Sequence, residues 1–466
     1  MESTKSSFKL NMLNKLSFFL SGDLFILAFT AITYGLSFIK RGDISISIVM
    51  LIIALIFFTQ KDLKSIFTPF MLMYFGMPFL MDGIFDINVV FILSIIILIT
   101  SVIYYVLKNK PKLNFTKNLA ILIPYACAYP LGGWFAPNNL LDGNFYLLSV
   151  GLAILLYVAF LLFALLAGNC NLTDKEYIFK VIFASGVLIS MQIFTRAIFT
   201  HDFLDVVSKD SFMLNWGIYN GIITAMLFAV PSCFYFALKR PHQTVFFIVI
   251  AFIEVIATFL TGSRASIVCM PLVLVICFLL TIHFSTGKQR QQITTIFCSV
   301  GIILVTALMI TLILSPDILE KVFWGFTVSG LQGNGRDKVW FKSLQLFTTN
   351  PIFGVGLFHN FGETLGLAGN LWLSHNTAFQ ALSSLGIVGF IGIWRHTLSK
   401  YRSCCKYNAL TAFIFIMFLC TEAYGMIDCL MPAPYYVMPL ISLLILLDVN
   451  PQNHSEKLPV AKMRNL

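Results

Sequence analysis

The chain has 466 residues, of which 58% are hydrophobic and only 11% are charged, and its mean hydropathy is +0.87. A soluble domain carries about 25% charged residues, so this composition excludes a soluble fold and predicts an integral membrane protein. The net charge of +10 does not indicate a nucleic-acid partner, because a multi-pass membrane protein collects Lys and Arg in its cytoplasmic loops.

Apolar runs long enough to cross a hydrocarbon core of about 30 Å follow a short basic N-terminus. Lys5, Lys9 and Lys15 precede the first run without a small-residue cleavage site, which indicates an uncleaved first span. The runs lie at about 20–39, 44–59, 66–82, 88–107, 118–133, 145–168, 178–195, 214–238, 244–261, 265–284, 293–314, 377–394, 408–426 and 432–448. Those at 66–82 and 118–133 are marginal, so we expect an all-α polytopic membrane protein with about 12–14 transmembrane helices.

The loop charges predict the orientation of these spans. With the N-terminus in the cytoplasm, most of the 31 Lys and Arg residues lie on the inner side, and only Lys40 and Arg41 disagree locally. Tryptophans are enriched at membrane interfaces, and five of the six fall at or beyond outer span ends: Trp134, Trp216, Trp324, Trp340 and Trp372. Residues 1–466 then form one membrane domain, with spans over about 20–314 and 377–448 and a polar cytoplasmic tail at 449–466.

The one long non-apolar segment, at about 315–376, lies on the outer face and is predicted to be structured. Ser315 and Pro316 are typical of a helix start. A second helix is predicted in "RDKVWFKSLQLF", whose apolar residues recur at helical spacing. We expect the apolar face of that helix to consist of Val339, Trp340, Leu344 and Phe347.

Three basic side chains fall on this outer face. Arg264 opens a span in "TGSRAS", Arg336 follows two glycines in "GNGRDKVW", and His375 lies in "LSHNTAFQ", where the loop becomes the next span. Arginine makes bidentate, charge-assisted bonds to phosphate oxygens. A histidine near a helix N-terminus favours the neutral imidazole that a general base needs. The three residues therefore predict a diphosphate site with a base beside it.

Each residue also has a simpler interpretation. Arg264 would serve as an interfacial anchor, Arg336 would balance Asp337, and His375 would cap its helix. His359 shares the His-Asn dipeptide, although a glycine-rich turn follows it, and we rank it as an accessory candidate together with Arg196. A further accessory candidate is Glu254, since a carboxylate within a span marks a functional site by default.

The combination of these motifs in this order is more specific than any one of them. "TGSRAS", then "GRDKVWFKSLQLFTTNPIFGVGLFHNF", then "SHNTAFQALSSLGIVGFIG" resembles the O-antigen ligase and O-antigen (Wzy-type) polymerase superfamily over about 250–395. The resemblance implies a membrane glycosyltransferase of GT-C-like fold that needs no metal or other cofactor and inverts the anomeric centre. Arg264 and Arg336 would bind the diphosphate of an undecaprenyl-diphosphate-linked glycan donor, and His375 would be the catalytic residue.

The motifs leave the acceptor open. A polymerase, which we favour, would extend a glycan chain, whereas a ligase would transfer the chain to lipid A–core. Either enzyme would act in the bacterial inner membrane, at its periplasmic face, with both termini cytoplasmic and with a chain-length regulator and a flippase as further partners. The alternative from another class is a lipid-linked oligosaccharide flippase, which Glu254 favours but which the lack of repeated halves in the sequence disfavours.

Two observations agree with the metal independence that the resemblance implies. The outer loop holds only four acidic residues and no DxD motif or carboxylate cluster for Mg²⁺: Asp317, Glu320, Asp337 and Glu363. The ten cysteines are scattered without a CxxC pair, so the sequence indicates neither a zinc site nor a disulfide framework.

Overall fold

The computed structural model describes residues 15–78, 86–120, 131, 143–201, 212–314, 336–356, 374–405, 408–430 and 433–449. Within these ranges the chain is almost entirely helical, which confirms the predicted all-α membrane fold. The described strands form one antiparallel hairpin in which β1 (Met213–Leu214) pairs with β2 (Gly217–Ile218).

The helices before this hairpin are α1 (Lys15–Ser21), α2 (Asp23–Leu36), α3 (Gly42–Thr59), α4 (Phe67–Leu72), α5 (Val89–Asn109), α6 (Lys117–Ala120), α7 (Gly143–Asn169) and α8 (Glu176–Phe199). Those after it are α9 (Tyr219–Lys239), α10 (Thr244–Phe259), α11 (Arg264–Phe284), α12 (Gly287–Leu314), α13 (Arg336–Thr349), α14 (Thr377–Ser403), α15 (Ala409–Tyr424) and α16 (Pro434–Val449). Short 3₁₀ turns lie at Leu63–Ile66, Met73–Gly76 and Pro241–Gln243.

Eight helices in the described part of the chain are long and apolar enough to cross a membrane. The count becomes nine if α1 and α2, which are bent by 71° at their junction, form one span. The sequence predicts 12–14, and three of the missing spans have visible reasons. The helices at 409–424 and 435–448 are apolar but shorter than a full span, and most of the predicted span at 118–133 lies outside the described residues.

The predicted span at 66–82 is not a single helix. The structure has a 3₁₀ turn, the six-residue α4 and a second 3₁₀ turn over Leu63–Gly76, and residues 79–82 lie outside the described part. All of α4 is buried, including Pro69 and Phe70. The segment is apolar because it packs inside the protein. Hydropathy alone does not distinguish such a segment from a membrane span.

The centre of the bundle is α9, which is apolar on all sides. In the most apolar stretch of α9, 94% of the residues are buried inside the protein, compared with 17% in the corresponding stretch of α5. A helix without a polar face is stable only where other helices or lipid cover every side. For α9 the covering elements are α8, α10, α11 and α15, whereas α5 is left largely to lipid. This packing fixes the ends of α9, α11 and α15 relative to one another.

Trp216, predicted as an interfacial anchor, is instead part of the core, with only 1% of its surface exposed. Its indole N–H donates to Gln192 Oε1 at 2.8 Å, and the Gln192 amide donates to the carbonyl of Phe75. A buried indole is stable where its N–H finds a partner, and the β1–β2 hairpin folds Trp216 onto one. Trp134, Trp324 and Trp372 lie outside the described residues.

One of the two residues that disagree locally with the predicted orientation is paired with acidic side chains. Arg41 donates to the buried carboxylate of Asp43 at 2.9 Å and lies 3.3 Å from Asp86. The sidedness itself stays a prediction.

The helix predicted in "RDKVWFKSLQLF" is present as α13, and its buried face overlaps the predicted one in part: Val339 is buried as predicted, and Trp340 and Phe347 are half-buried. Val339, Ser343 and Leu346 face inward, whereas Leu344 is 40% exposed. The first predicted helix of the outer loop, at Ser315, and His359 lie outside the described residues. The predicted helix was therefore correct, and its predicted buried face was wrong at Leu344, because the polar Ser343 takes an inner position instead.

Candidate active site

His375 lies immediately before α14, in a backbone conformation that is rare for a non-glycine residue. Its φ is +51°, and the next residue, Asn376, is the N-cap. The Asn376 side-chain oxygen accepts hydrogen bonds from the backbone N–H groups of Ala378 and Phe379 at 2.9 and 3.1 Å. Asn376 therefore caps the helix, which leaves the His375 side chain available for another role.

The turn before α14 is tied to the turn after α15. The backbone N–H of Thr377 donates to the carbonyl of Gly425 at 2.8 Å, and the Asn376 amide donates to the carbonyl of Met426 at 2.7 Å. The Thr377 hydroxyl lies in the same network, as donor to the carbonyl of Asp428 and as acceptor from the backbone N–H of Leu430. These bonds hold two segments about 50 residues apart in register.

The result of this pairing is a histidine–carboxylate contact. His375 Nδ1 lies 3.1 Å from Asp428 Oδ1, with 27% of the histidine side chain and 9% of the aspartate side chain exposed. When Nδ1 donates to the carboxylate, Nε2 is left as the proton acceptor, and the carboxylate stabilises the imidazolium that forms. The geometry thus suits His375 to general base catalysis.

Asp428 was not among the sequence-predicted site residues. It lies 53 residues after His375, in a turn whose local sequence carries no motif. Because its carboxylate is nearly buried and contacts the His375 imidazole, Asp428 becomes a further candidate for the site. The one sequence feature that could have indicated Asp428 is its position just beyond a predicted span, on the predicted outer face. Several other acidic residues share that position.

Arg264 is the first residue of α11, directly after a hairpin turn from α10. Gly262 has a φ of +72°, and the Ser266 hydroxyl donates to the carbonyls of Thr258 and Ser263 across the turn. Gly262 is suited to this turn because the left-handed conformation costs it no steric clash. The motif "TGSRAS" is therefore the signature of a tight turn that places Arg264 at the start of a membrane helix.

The packing of α11 against α15 places Arg264 at the same end of the bundle as His375. Cys269, just over one turn after Arg264, lies near Cys420 and Tyr424 of α15. The first half of α11 thus lies beside the last half of α15, and the turn after α15 carries Asp428. Arg264, Asp428 and His375 consequently lie at the same end of the bundle.

Arg336 is the first residue of α13 and is connected to His375 through Trp340. The Trp340 indole N–H donates to the carbonyl of Ser374 at 2.9 Å, and its ring packs on Phe379 with centroids 5.6 Å apart. Arg336 lies one helical turn before Trp340, on the same side of α13. The start of α13 therefore lies near the turn that carries His375.

The glycine-rich segment after α13 fits into a break in α14. At Gly386 the helix has φ +63° and ψ −164°, a conformation essentially restricted to glycine. The backbone bonds lost at the break are replaced by four N–H donors across the junction: Val355 to Ser383 (2.8 Å), Gly356 to Ser384 (3.0 Å), Ile387 to Pro351 (2.8 Å) and Val388 to Ile352 (3.3 Å). A broken membrane helix is tolerated when its polar groups are satisfied in this way. We call this junction the loop–helix clamp.

The clamp joins "NPIFGVG" to "SSLGIVG". Both segments belong to the motifs that carry the resemblance, as Arg264 and His375 do. Residues 246–394 match the O-antigen ligase family model. The match confirms the predicted resemblance to the O-antigen ligase and polymerase superfamily and covers nearly the same residues. A search of curated proteins found no match to the chain.

The matched segment, residues 246–394, includes Arg264, Arg336 and His375, whereas Asp428 follows it. No contact among the described residues joins the accessory candidates to Arg264, Arg336 or His375. Arg196 is exposed near the end of α8, one turn after Gln192. His359 belongs to the segment but lies outside the described residues, so its role stays a prediction.

Glu254 is buried within the helix packing, away from the residues above. None of its surface is exposed, Oε2 accepts from Cys233 Sγ at 3.5 Å, and Oε1 has no partner among the described residues. A side chain at Gly186 would collide with its carboxyl group, so the glycine makes room for it. This closely packed environment does not favour Glu254 as part of a transport path, and the flippase alternative loses its main support.

Proposed function

We propose that the chain is an inverting glycosyltransferase that takes its donor glycan from undecaprenyl diphosphate and polymerises O-antigen or a related surface polysaccharide. The reaction would take place at the periplasmic face of the bacterial inner membrane. The observation that carries the proposal is the contact of His375 with Asp428, at the end of the bundle where Arg264 also lies. His375 and Arg264 both belong to the segment that matches the O-antigen ligase family model.

In the proposed reaction an acceptor hydroxyl gives its proton to His375 Nε2. The hydroxyl oxygen attacks the anomeric carbon of the donor from the side opposite the diphosphate, which inverts that centre. The bond between the anomeric carbon and the diphosphate oxygen breaks, and its electron pair leaves with undecaprenyl diphosphate. Asp428 stabilises the imidazolium and holds the ring so that Nε2 faces the acceptor.

Arg264 and Arg336 have the leaving group as their proposed partner. A diphosphate gains negative charge as the glycosidic bond breaks, and guanidinium groups bind phosphate oxygens through paired N–H donors. Both arginines begin helices, α11 with 21 residues and α13 with 14. The backbone N–H groups of those helix starts favour an anion at the same place.

Transfer of the finished chain to lipid A–core is the second candidate, because the matching family model is described as O-antigen ligase. Both reactions use the same leaving group and base, so they differ only in the acceptor. A polymerase would in addition depend on a chain-length regulator, and either enzyme on a flippase that supplies the donor. The acceptor therefore has to be identified by experiment.

Deletion of the gene tests the function and separates the two candidates. We expect the lipopolysaccharide of the deletion strain to stop at core plus one repeat, because polymerisation fails while ligation continues. Bare core with full-length polymer retained on the lipid carrier would identify a ligase instead. An unchanged lipopolysaccharide and surface polysaccharide profile, resolved by gel electrophoresis, would contradict both.

Activity is expected to survive removal of divalent cations. No cluster of three or more His, Cys, Asp or Glu side chains suited to a metal occurs in the described residues, and the outer loop has few carboxylates. Transfer by the purified enzyme should therefore be unchanged in EDTA. A loss of activity that Mg²⁺ restores would overturn the metal-free mechanism.

A further inference from the structure

A group of aromatic side chains lies near Asp428, and none of them takes part in the proposed transfer step. The rings of Tyr74, Trp216 and Tyr435 contact one another, with centroid distances of 5.8 Å between the tyrosines and 5.7 and 6.3 Å from Trp216 to Tyr74 and Tyr435. Trp216 is buried beneath, and the two tyrosines are half-buried. We call these three residues the tyrosine shelf.

The shelf adjoins the histidine–carboxylate pair. The backbone N–H of Asp428 donates to the carbonyl of Tyr424 at 3.1 Å, and Tyr435 also lies near Asp428. The Tyr435 hydroxyl makes no hydrogen bond to any residue in the described ranges. Asp428 in turn contacts the proposed base, His375. The Tyr435 hydroxyl is therefore placed to meet a substrate.

A second polar group beside the shelf lacks a partner. Asn220 is 3% exposed, and its Oδ1 accepts from the Tyr424 hydroxyl at 3.0 Å, but its Nδ2 has no partner among the described residues. The next residue, Gly221, is covered by the Tyr435 ring, since a Cβ there would lie 2.8 Å from a ring carbon. A buried amide donor without an acceptor is costly, so a ligand oxygen at this place would be stabilising.

Rings flanked by a few fixed polar groups match the chemistry of a sugar. One face of a pyranose ring presents C–H groups that pack on an aromatic ring, while its edge presents hydroxyl and acetamido oxygens that accept hydrogen bonds. Ligand sites commonly combine apolar and aromatic walls with a small number of placed polar groups. An isoprenoid chain would fit the rings but would leave Asn220 Nδ2 and the Tyr435 hydroxyl unpaired.

We propose that the tyrosine shelf is a sugar-binding subsite, in which a pyranose ring of the glycan substrate stacks on Tyr435 and Tyr74 and accepts a hydrogen bond from Asn220. This inference rests on the proposed function, because the sugar it binds is the one presented to His375. Tyr435 and Asn220 would then determine how tightly the glycan is held, whereas His375 determines the rate of transfer.

The test uses the full-length protein in lipid nanodiscs, with the lipid-linked repeat unit as donor and transfer measured at varied glycan concentration. Tyr435→Leu should raise KM about tenfold with kcat nearly unchanged, because loss of a ground-state contact weakens substrate binding. Tyr435→Phe keeps the ring and should show a smaller change. Asn220→Asp keeps the acceptor for Tyr424, removes the donor and should also raise KM. Tyr401→Leu, whose ring contacts Phe415 instead, is the matched control and should behave as wild type.

The outcomes separate this inference from the proposed function. Wild-type transfer with unchanged KM in both Tyr435→Leu and Asn220→Asp would overturn the subsite and leave the proposed function intact. A fall in kcat at constant KM would also overturn it, since Tyr435 would then act by positioning Asp428. If Tyr435→Leu does not fold, Asn220→Asp decides. Absence of transfer by the wild-type protein would instead count against the proposed function.

Discussion

Replacement of His375 by alanine is expected to abolish long-chain polysaccharide while the protein stays in the membrane. Loss of a general base typically lowers a rate by about 10²–10⁴-fold, and Asp428 cannot replace the imidazole because it contacts Nδ1, on the far side of the ring from Nε2. The measurement is the glycan ladder of a deletion strain complemented with the variant, combined with immunoblotting of the membrane fraction.

His242→Ala is the matched control, because this histidine is exposed at the other end of α10 from Arg264. It should leave the ladder unchanged.

Asp428→Asn should lower transfer less than His375→Ala, since an amide still contacts the ring but no longer stabilises the imidazolium. Arg264→Lys and Arg336→Lys keep the charge but lose the planar pair of donors, so both should be impaired. Normal glycan length in His375→Ala, Arg264→Ala and Arg336→Ala would remove the site assignment.

Substitution of Gly386 or Gly354 by alanine is expected to unlock the loop–helix clamp and cause a large loss of both stability and activity. Gly386 has φ +63° and Gly354 has φ +72°, and a Cβ at either position would collide with the backbone of the opposite segment. Strained backbone of this kind costs of order 1–3 kcal/mol per residue before any clash is counted. We expect a lower thermal unfolding midpoint in detergent for each variant, and loss of transfer because α13 is released from α14.

A double variant tests whether the two glycines belong to one junction. If they do, Gly354→Ala and Gly386→Ala together should destabilise the protein by less than the two single effects combined, because the first already breaks the shared contact. Gly301→Ala in α12 is the control, since a Cβ there meets nothing within 4 Å, and it should be neutral or slightly stabilising. Stability equal to wild type in Gly386→Ala would show that the clamp is not formed.

Much of the fold followed from the sequence because the information needed was local. The spans of α3, α5, α8 and α11 were predicted within a few residues, since the length of an apolar run and the residues at its ends decide where a membrane helix begins and stops. The same holds for the start of α13, whose motif lies within a few residues. The roles of Arg264, Arg336 and His375 stay predictions. The ordered combination of the motifs that contain these residues was sufficient to predict the superfamily.

The sequence did not reveal which distant residues meet. Asp428 joins His375 only because two turns separated by α14 and α15 are hydrogen-bonded together, and no short stretch records that contact. The burial of Trp216, the inward position of Leu346 and the closely packed environment of Glu254 likewise depend on neighbouring helices. Hydropathy does not distinguish a side chain that faces lipid from one that faces protein, since both surroundings are apolar. Membrane helices were thus determined by composition along the chain, while the pairing of His375 with Asp428 and the closing of the helix break were decided by packing and hydrogen bonding between distant segments.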